Sequence, residues 1–272
     1  MDQKPHPLLT LPGAIVIAGA IIAIAIIWVK KPAPTTAPTS AKQNVVQVSM
    51  LPVSSTDHIF GNPSAQIKLV EFSDPSCPFC KSFHPTMLKL MSSYGPTGSV
   101  AWVYRAFPLN KPDAQGNVLH PNAGRESQAF ECAAALGGND AFWKYANRLY
   151  DITPSVTGAT PKGLDQEELP VIAKYAGLDV IAFNECLSSE RFKDKIEQQY
   201  LDGVNAGVSG TPTTVMVLSK PAPKNVDTII ADLILQMRVP ILMSDDRLKI
   251  LMSGALPESA FKAIIDAVLS VK

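Results

Sequence analysis

The chain reads as an α/β protein with a long helical insertion and one N-terminal transmembrane helix, and three observations predict this. The apolar run Ile67-Lys68-Leu69-Val70-Glu71-Phe72 precedes a helix-like pattern at 81–91 and a second strand-like run at 100–107. Residues 124–205 then keep a helical pattern throughout, before two more strand-like runs and a closing amphipathic stretch. Residues 8–29, near the start, contain no charged side chain. Strand, helix, strand, a helical block, two strands and a helix make an α/β layout with an insertion. The 272 residues suffice for one large domain and extras. Lys plus Arg and Asp plus Glu number 24 each, so no basic excess points to nucleic acid as a partner.

The charge-free run of residues 8–29 is densest in Ile, Ala and Val over 13–29. It has about the length a helix needs to cross a bilayer core of roughly 30 Å. A cleaved signal peptide has a shorter apolar core followed by a small-x-small site. No such site follows Val29, and no cysteine stands there for lipidation. Residues 1–30 are therefore expected to be an uncleaved membrane anchor, with a cleaved signal as the alternative. Lys4 is offset by Asp2 on one flank, and Lys30 and Lys31 lie on the other. Those flanks mildly favour the wrong orientation for an oxidising exterior. The redox reading below requires an extracytoplasmic domain and overrides them. Residues 31–50 form a linker, with Pro32, Pro34 and Pro38 among Thr, Ala and Ser. Such a segment is extended, at about 3 Å per residue.

The folded domain, 51–272, starts with a segment leading to a strand at 64–72. Next comes Cys77-Pro78-Phe79-Cys80, the most informative feature of the chain. At a strand-to-helix junction the first sulfur sits at a helix N-terminus, where unpaired N–H groups and the helix dipole favour a thiolate. The second sulfur is one turn on, close enough to attack a mixed disulfide. This is the pattern of a thiol–disulfide exchanger. Half of a zinc site is the other reading of any such spacing. Haem attachment is excluded, because Lys81 rather than His follows Cys80. His84 lies on the helix face of Cys80 and is read as a packed residue, with a metal ligand as the alternative.

The helix over 77–91 contains Pro85, which should kink or bend it. Residues 100–107 form the second strand and 110–122 a polar loop. The block at 122–206 should hold three or four helices, broken near 153–160 and at Gly177-Leu178-Asp179, with Phe142, Trp143, Tyr145 and Tyr150 in its core. Residues 213–218 and 248–252 are strands. Between them, in the extra segment 220–246, Val226, Ile229, Ile230, Leu233, Ile234 and Met237 follow helical spacing, with Asn225 or Asp227 as cap and Pro240 as stop. A closing helix at 257–271 carries Phe261, Ile264, Ile265 and Val268 on one face.

Glu71-Phe72-Ser73-Asp74, Cys77-Pro78-Phe79-Cys80 and Gly210-Thr211-Pro212-Thr213 at the head of a strand, in that order, resemble the DsbA-like thiol–disulfide oxidoreductases. The resemblance covers roughly 57–269. It implies a thioredoxin-like fold with an inserted helical domain, and disulfide exchange outside the cytoplasm with no cofactor or metal. It makes Cys77 the exposed nucleophile, Cys80 the buried resolver, and Pro78 and Phe79 the dipeptide that tunes the couple and meets substrate. It makes Pro212 a cis-proline facing the disulfide, and gives Thr211 backbone groups for an extended substrate strand. Glu71 matches a buried acid that relays a proton to the resolving thiol. Its apolar neighbours agree, the alternative being a strand residue facing solvent. The implied partners are unfolded exported proteins with reduced cysteines and a quinone-linked membrane reoxidase of the DsbB or vitamin K epoxide reductase type.

Two positions depart from DsbA itself, which has His at the place of Phe79 and Val at the place of Thr211. Without the imidazole the couple should be less oxidising. Thr211 resembles the isomerases and some Gram-positive oxidases, so isomerase or reductase activity stays open, as does a membrane-tethered metal-binding protein of the same fold. Cys132 and Cys186 are expected to bridge within the helical block, because an exported domain meets oxidants and some members of the family carry an extra bridge there. Two separate buried thiols are the alternative.

Overall fold

A computed structural model describes residues 48–154 and 164–270. The expected anchor and most of the expected linker, 1–47, lie outside the described residues. Among the described residues no helix is long and apolar enough to cross a membrane. Val48 is already buried against the sheet and Met50 packs beside it, so the last residues of the span read as linker are part of the folded unit.

The elements run β1 (His58–Gly61), β2 (Ile67–Ser73), α1 (Pro78–Tyr94), β3 (Val100–Ala106), α2 (Ala123–Ile152), α3 (Glu168–Ala176), α4 (Val180–Ser188), α5 (Lys193–Ala206), β4 (Thr213–Leu218), α6 (Asn225–Met237), β5 (Ile241–Met243), β6 (Lys249–Ser253) and α7 (Glu258–Leu269). They build one six-stranded sheet in the order β1-β3-β2-β4-β6-β5. β2 is central, parallel to β3 and antiparallel to β4. Two strands go beyond those expected from sequence. β1 has four residues and pairs only with β3, while β5 has three and pairs only with β6. Segments that short show no period, and only their neighbours make them strands.

Successive residues of a strand face opposite sides, and β2 divides its apolar residues accordingly. Ile67 and Leu69 join Trp102, Met216 and Ile250 beneath α1 and α7, whose Phe83 and Phe261 rings lie 5.6 Å apart. Val70 and Phe72 join Val103, Val215 and Leu251 on the other face, covered by Phe107, Ala206 and Val48. There α5 crosses close to the sheet at Gly203, where a Cβ would lie 2.5 Å from the Phe107 ring and 2.9 Å from the Phe72 ring. Arg105 of β3 secures this face. Its guanidinium bonds Asp57 at 2.8 Å, Asp202 of α5 at 2.6 Å and the Leu51 and Pro52 carbonyls.

α1 includes Pro85 within its 17 residues. Proline there removes the bond that an amide at 85 would have made to the Lys81 carbonyl, and it stands on the exposed side of the helix, opposite the buried Phe83 and His84. One local expectation needs correction. α6 begins without a side-chain cap, because Asp227 is engaged by Arg247 at 2.9 Å instead. Its end is as expected, with Arg238 left-handed and Pro240 just beyond.

Helices α2 to α5 occupy the stretch between β3 and β4, with Gly177 in the left-handed conformation between α3 and α4 and a short turn after Ser189; most of the break expected near 153–160 lies outside the described residues. α2 is itself broken at Gly138, with φ 73° and ψ −167°. Phe142, Trp143, Tyr145 and Tyr150 are all buried in the block. A disulfide joins Cys132 of α2 to Cys186 of α4, with Cα atoms 5.8 Å apart, across a sequence separation of 54. A cross-link of that span removes chain entropy from the unfolded state worth about 4 kcal/mol. The double replacement Cys132→Ala/Cys186→Ala should therefore lower the unfolding free energy by up to about 4 kcal/mol. Chemical denaturation monitored by tryptophan fluorescence measures it, and a loss under about 1 kcal/mol contradicts the bridge as a stabilising element.

Candidate active site

The sheet register brings the redox motif to the proline loop. β2 ends at Ser73 with Phe72 opposite Thr213 at the start of β4, so the chain leaving β2 meets the turn entering β4. Cys77 is the N-cap of α1, extended at φ −78° and ψ 122°, with Pro78 in the first turn. Proline suits that turn because its missing N–H would have had no helical partner. The Thr211–Pro212 peptide bond is cis. The Cys77 Sγ–H donates to the Thr211 carbonyl at 3.4 Å. Cys77, Cys80, Thr211 and Pro212 thus come together, with Phe79 beside them 66% exposed.

Cys77 itself is not the exposed residue expected from sequence. Its surface is 3% accessible, because the 211–212 loop lies over the sulfur, and Phe79 takes the solvent-facing position. Cys80, one turn into the helix, is fully buried, and the Asp74 amide donates to its sulfur at 3.5 Å. The two thiols are driven apart in acidity. Hydrogen bonding from the Cys80 thiol outweighs burial and lowers the Cys77 pKa to about 6, aided by the Cys80 backbone amide at the helix N-terminus. Burial, then the hydrogen bond with Cys77 and its charge, push Cys80 well above the ordinary thiol range.

Glu71 lies buried on β2, on the α1 side of the sheet, and accepts a 2.9 Å bond from the Trp102 indole. Burial raises its pKa to about 7 against hydrogen bonds from Ser73 and Trp102, and the charge of Cys77 adds to the rise. Ser73 continues the polar layer to Tyr150 at 2.9 Å, and Tyr150 meets Tyr104 at 3.3 Å. His84 is packed between Trp102 and Tyr150, with its Nε2 at 2.8 Å from Asn147 Oδ1. Burial takes its pKa down to about 4. Among the described residues no group of three or more His, Cys, Asp and Glu is disposed to hold a metal ion.

A second polar cluster, to which the sequence pattern assigns no role, lies behind the motif. Asp74, with no exposed surface, accepts from the Ser76 and Leu109 amides at 2.7 Å each and pairs with His120 Nδ1 at 2.8 Å. Ser76 Oγ donates to Glu126 at 2.6 Å, and the Leu164 amide donates to the other Glu126 oxygen at 3.0 Å. Burial raises the Glu126 pKa to about 7. His120 falls in a polar loop without periodicity and Glu126 in an ordinary helical turn, so nothing in the pattern joins them to Asp74. The second cysteine pair stands apart, inside the helical block.

Residues 53–228 match the family described as thioredoxin. The chain belongs to the thioredoxin family. Its fold is shared by alpha-DsbA1 of Wolbachia pipientis, with a TM-score of 0.58 at 20% identity over 82% of this chain and 97% of that one. A Salinispora tropica protein named as an Na(+)/H(+) antiporter, NhaA 3, is 30% identical over 174 residues, 64% of this chain and 23% of that protein. A Rickettsia typhi protein whose name assigns it provisionally to the protein-disulfide oxidoreductases is 22% identical over 145 residues, 53% of this chain and 48% of that protein. This thioredoxin-family chain therefore spans half or less of the length of these curated relatives.

Alkylation of the reduced protein should proceed at Cys77 alone, with a rate midpoint near pH 6. An unperturbed cysteine has its midpoint at about 8.5. Iodoacetamide kinetics followed by peptide mapping decide it, and modification at Cys80 first overturns the ordering. Glu71 makes stability depend on pH. Its carboxyl binds a proton more tightly folded, at about 7, than at the ordinary 4.5. Its stabilising contribution is complete below the ordinary value and lost as pH rises through the folded one. Glu71→Gln should abolish up to about 3 kcal/mol of the stability difference between acid and alkaline conditions. Denaturation curves at pH 5 and pH 8.5 test it, and an equal pH dependence for both proteins refutes it.

Proposed function

We propose that this chain is an extracytoplasmic thiol–disulfide oxidoreductase that introduces disulfides into unfolded exported proteins. The observation that carries the reading is the Cys77 sulfur at a helix N-terminus, facing the carbonyl before a cis-proline, with Cys80 buried behind it. A substrate thiolate attacks Cys77 Sγ in the 77–80 disulfide. The S–S bond breaks, a mixed disulfide to Cys77 forms, and Cys80 leaves. A thiol of such high pKa leaves poorly as an anion. Glu71, with its pKa near 7, is suited to supply the proton. The substrate's second thiolate then attacks its own sulfur in the mixed disulfide, closing the substrate bridge and expelling Cys77 as the stabilised thiolate. Two electrons have moved from substrate to the couple.

The substrate strand is proposed to lie along Thr211, beside Pro78 and the exposed Phe79, an apolar surface suited to an unfolded chain. The charge-free run at 8–29 supports a membrane anchor that keeps the domain near a quinone-linked reoxidase of the DsbB or vitamin K epoxide reductase type. Thr211 and the absence of an imidazole at Phe79 favour a second reading of the same site as an isomerase or reductase. The reduction potential separates them, about −120 mV marking a strong oxidant and about −270 mV a reductant. Metal binding in place of exchange would show as stoichiometric metal in the purified protein.

Cys80→Ser should accumulate mixed disulfides with reduced, unfolded substrates under mild oxidation, and Cys77→Ser should form none. Non-reducing electrophoresis reads the adducts. Adducts on the Cys77→Ser protein, or none on the Cys80→Ser protein, reject the mechanism. Glu71→Gln should slow exchange about 100-fold while leaving the adduct on Cys77.

A further inference from the structure

We propose that His120 is a positioning residue for the redox couple: through Asp74 it fixes the backbone groups bonded to both cysteines and neutralises the carboxylate beside them. Asp74 touches the motif twice through its backbone. Its amide donates to Cys80 Sγ at 3.5 Å, and its carbonyl accepts the Cys77 amide at 3.0 Å. Its side chain decides how those two backbone groups are held. One carboxylate oxygen takes the Ser76 amide at 2.7 Å, and the other takes the Leu109 amide at 2.7 Å and His120 Nδ1 at 2.8 Å. The His120 amide in turn donates to the Leu109 carbonyl at 3.0 Å, which closes a ring through Asp74, Leu109 and His120. The residues in this ring that carry side-chain bonds, Asp74 and His120, are 0% and 3% exposed, so the pair is shielded from water and salt.

The charge balance of the site calls for this cation. The groups acting on His120 are Asp74, Cys77 and Glu126, all acidic, and those around the couple are Glu71 on β2, Tyr104 on β3 and Tyr150 on α2. Neither Pro78 nor Phe79 titrates. The Lys81 ammonium is committed to the Tyr150 and Asp151 carbonyls at 2.9 and 2.8 Å. An unpaired Asp74 carboxylate would oppose a thiolate at Cys77. Burial disfavours the charged imidazole, yet the bond to Asp74 and its charge raise the His120 pKa, with the Cys77 charge adding to them. The imidazole missing from the dipeptide is thereby replaced from the loop behind it.

The inference rests on Cys77 and Cys80 being the redox couple, and its consequence follows from proton balance. Reduction of the 77–80 disulfide by a substrate dithiol consumes two electrons and, with Cys77 left as thiolate, keeps one proton on Cys80 and releases the other to solvent. A charged His120 stabilises that product. By the reciprocity of linked equilibria, the thiolate must stabilise the His120 proton by the same factor.

The test uses the full wild-type chain in detergent micelles. Imidazole resonances are titrated by NMR in the oxidised and reduced states, with His120→Gln identifying the signal. The His120 midpoint should be higher in the reduced protein, and the same midpoint in both states overturns the proposal. In the reduced His120→Gln protein, the thiolate absorbance of Cys77 should titrate about one unit higher, with about tenfold less thiolate below the midpoint. Asp74→Asn/His120→Gln should bring it back toward wild type, a reversal that simple loosening of the site would not produce. A folded His120→Gln protein with an unchanged Cys77 midpoint also overturns the proposal. Should that variant fail to fold, the redox dependence of the wild-type His120 signal decides alone. A wild-type protein in which Cys77 has no lowered midpoint and forms no mixed disulfide refutes the functional reading itself.

Discussion

The antiparallel pairing of β2 with β4, with Phe72 opposite Thr213, is the constraint on which the rest of the site depends. It places the end of one strand and the beginning of the other at the same edge of the molecule. The Cys77 sulfur and the Thr211 carbonyl, 134 residues apart in sequence, then meet at 3.4 Å. A slip of one residue would turn Val70 and Phe72 toward the α1 side and carry Glu71 away from Cys80. The burial of β2 on both faces makes such a slip costly, since each apolar side chain buried is worth about 1.5–3 kcal/mol. The precision of the redox centre is thus secured by ordinary core packing several residues away from it.

Around that centre the protein holds Glu71, Asp74, His120 and Glu126 out of water. Glu71 and Glu126 both carry pKa values raised to about 7 by burial. Each has bonds to accept, from Trp102 for Glu71 and from Ser76 and Leu164 for Glu126, but no cation among the described residues. Burial therefore wins, and the proton is retained well above the usual carboxylate range. Asp74 differs in its partner, the His120 ring at 2.8 Å. The same burial separates the two thiols: helix-end amides and the Cys80 thiol favour charge on Cys77, while Cys80, without such donors in number, holds its proton. Two thiols of unequal acidity follow from one helix turn and its position in the core.

The helical block serves this arrangement as a wall. α2 supplies Glu126 behind Ser76 and Tyr150 above Ser73, and its last turn is tied to the motif through Lys81. The Cys132–Cys186 bridge fixes α2 to α4, and Gly203 lets α5 approach the opposite face of the sheet to within contact of Phe72. Arg105 joins β3, α5 and the entering chain through two buried carboxylates. Breaking such a buried set by losing one partner typically costs about 3–5 kcal/mol.

Much of this was legible in the sequence. The central strand was readable because burial on both faces leaves a nearly unbroken apolar run, and α7 because its apolar face repeats at helical spacing. The motif at a strand-to-helix junction announced its chemistry, and Thr211-Pro212 announced its counterpart only through resemblance to a family. β1 and β5 were not legible, being too short to carry a period and defined by the strands they pair with. The diversion of Asp227 to Arg247 was decided by a neighbour that local pattern does not contain. The same holds for the site. Residue types and spacing alone pointed to thiol–disulfide exchange at Cys77 and Cys80, with a zinc site as the other reading. Which carboxylates keep their protons, why Cys77 is covered by the proline loop, and that His120 reaches Asp74 were decided by tertiary structure, because burial and pairing depend on segments brought together from across the chain.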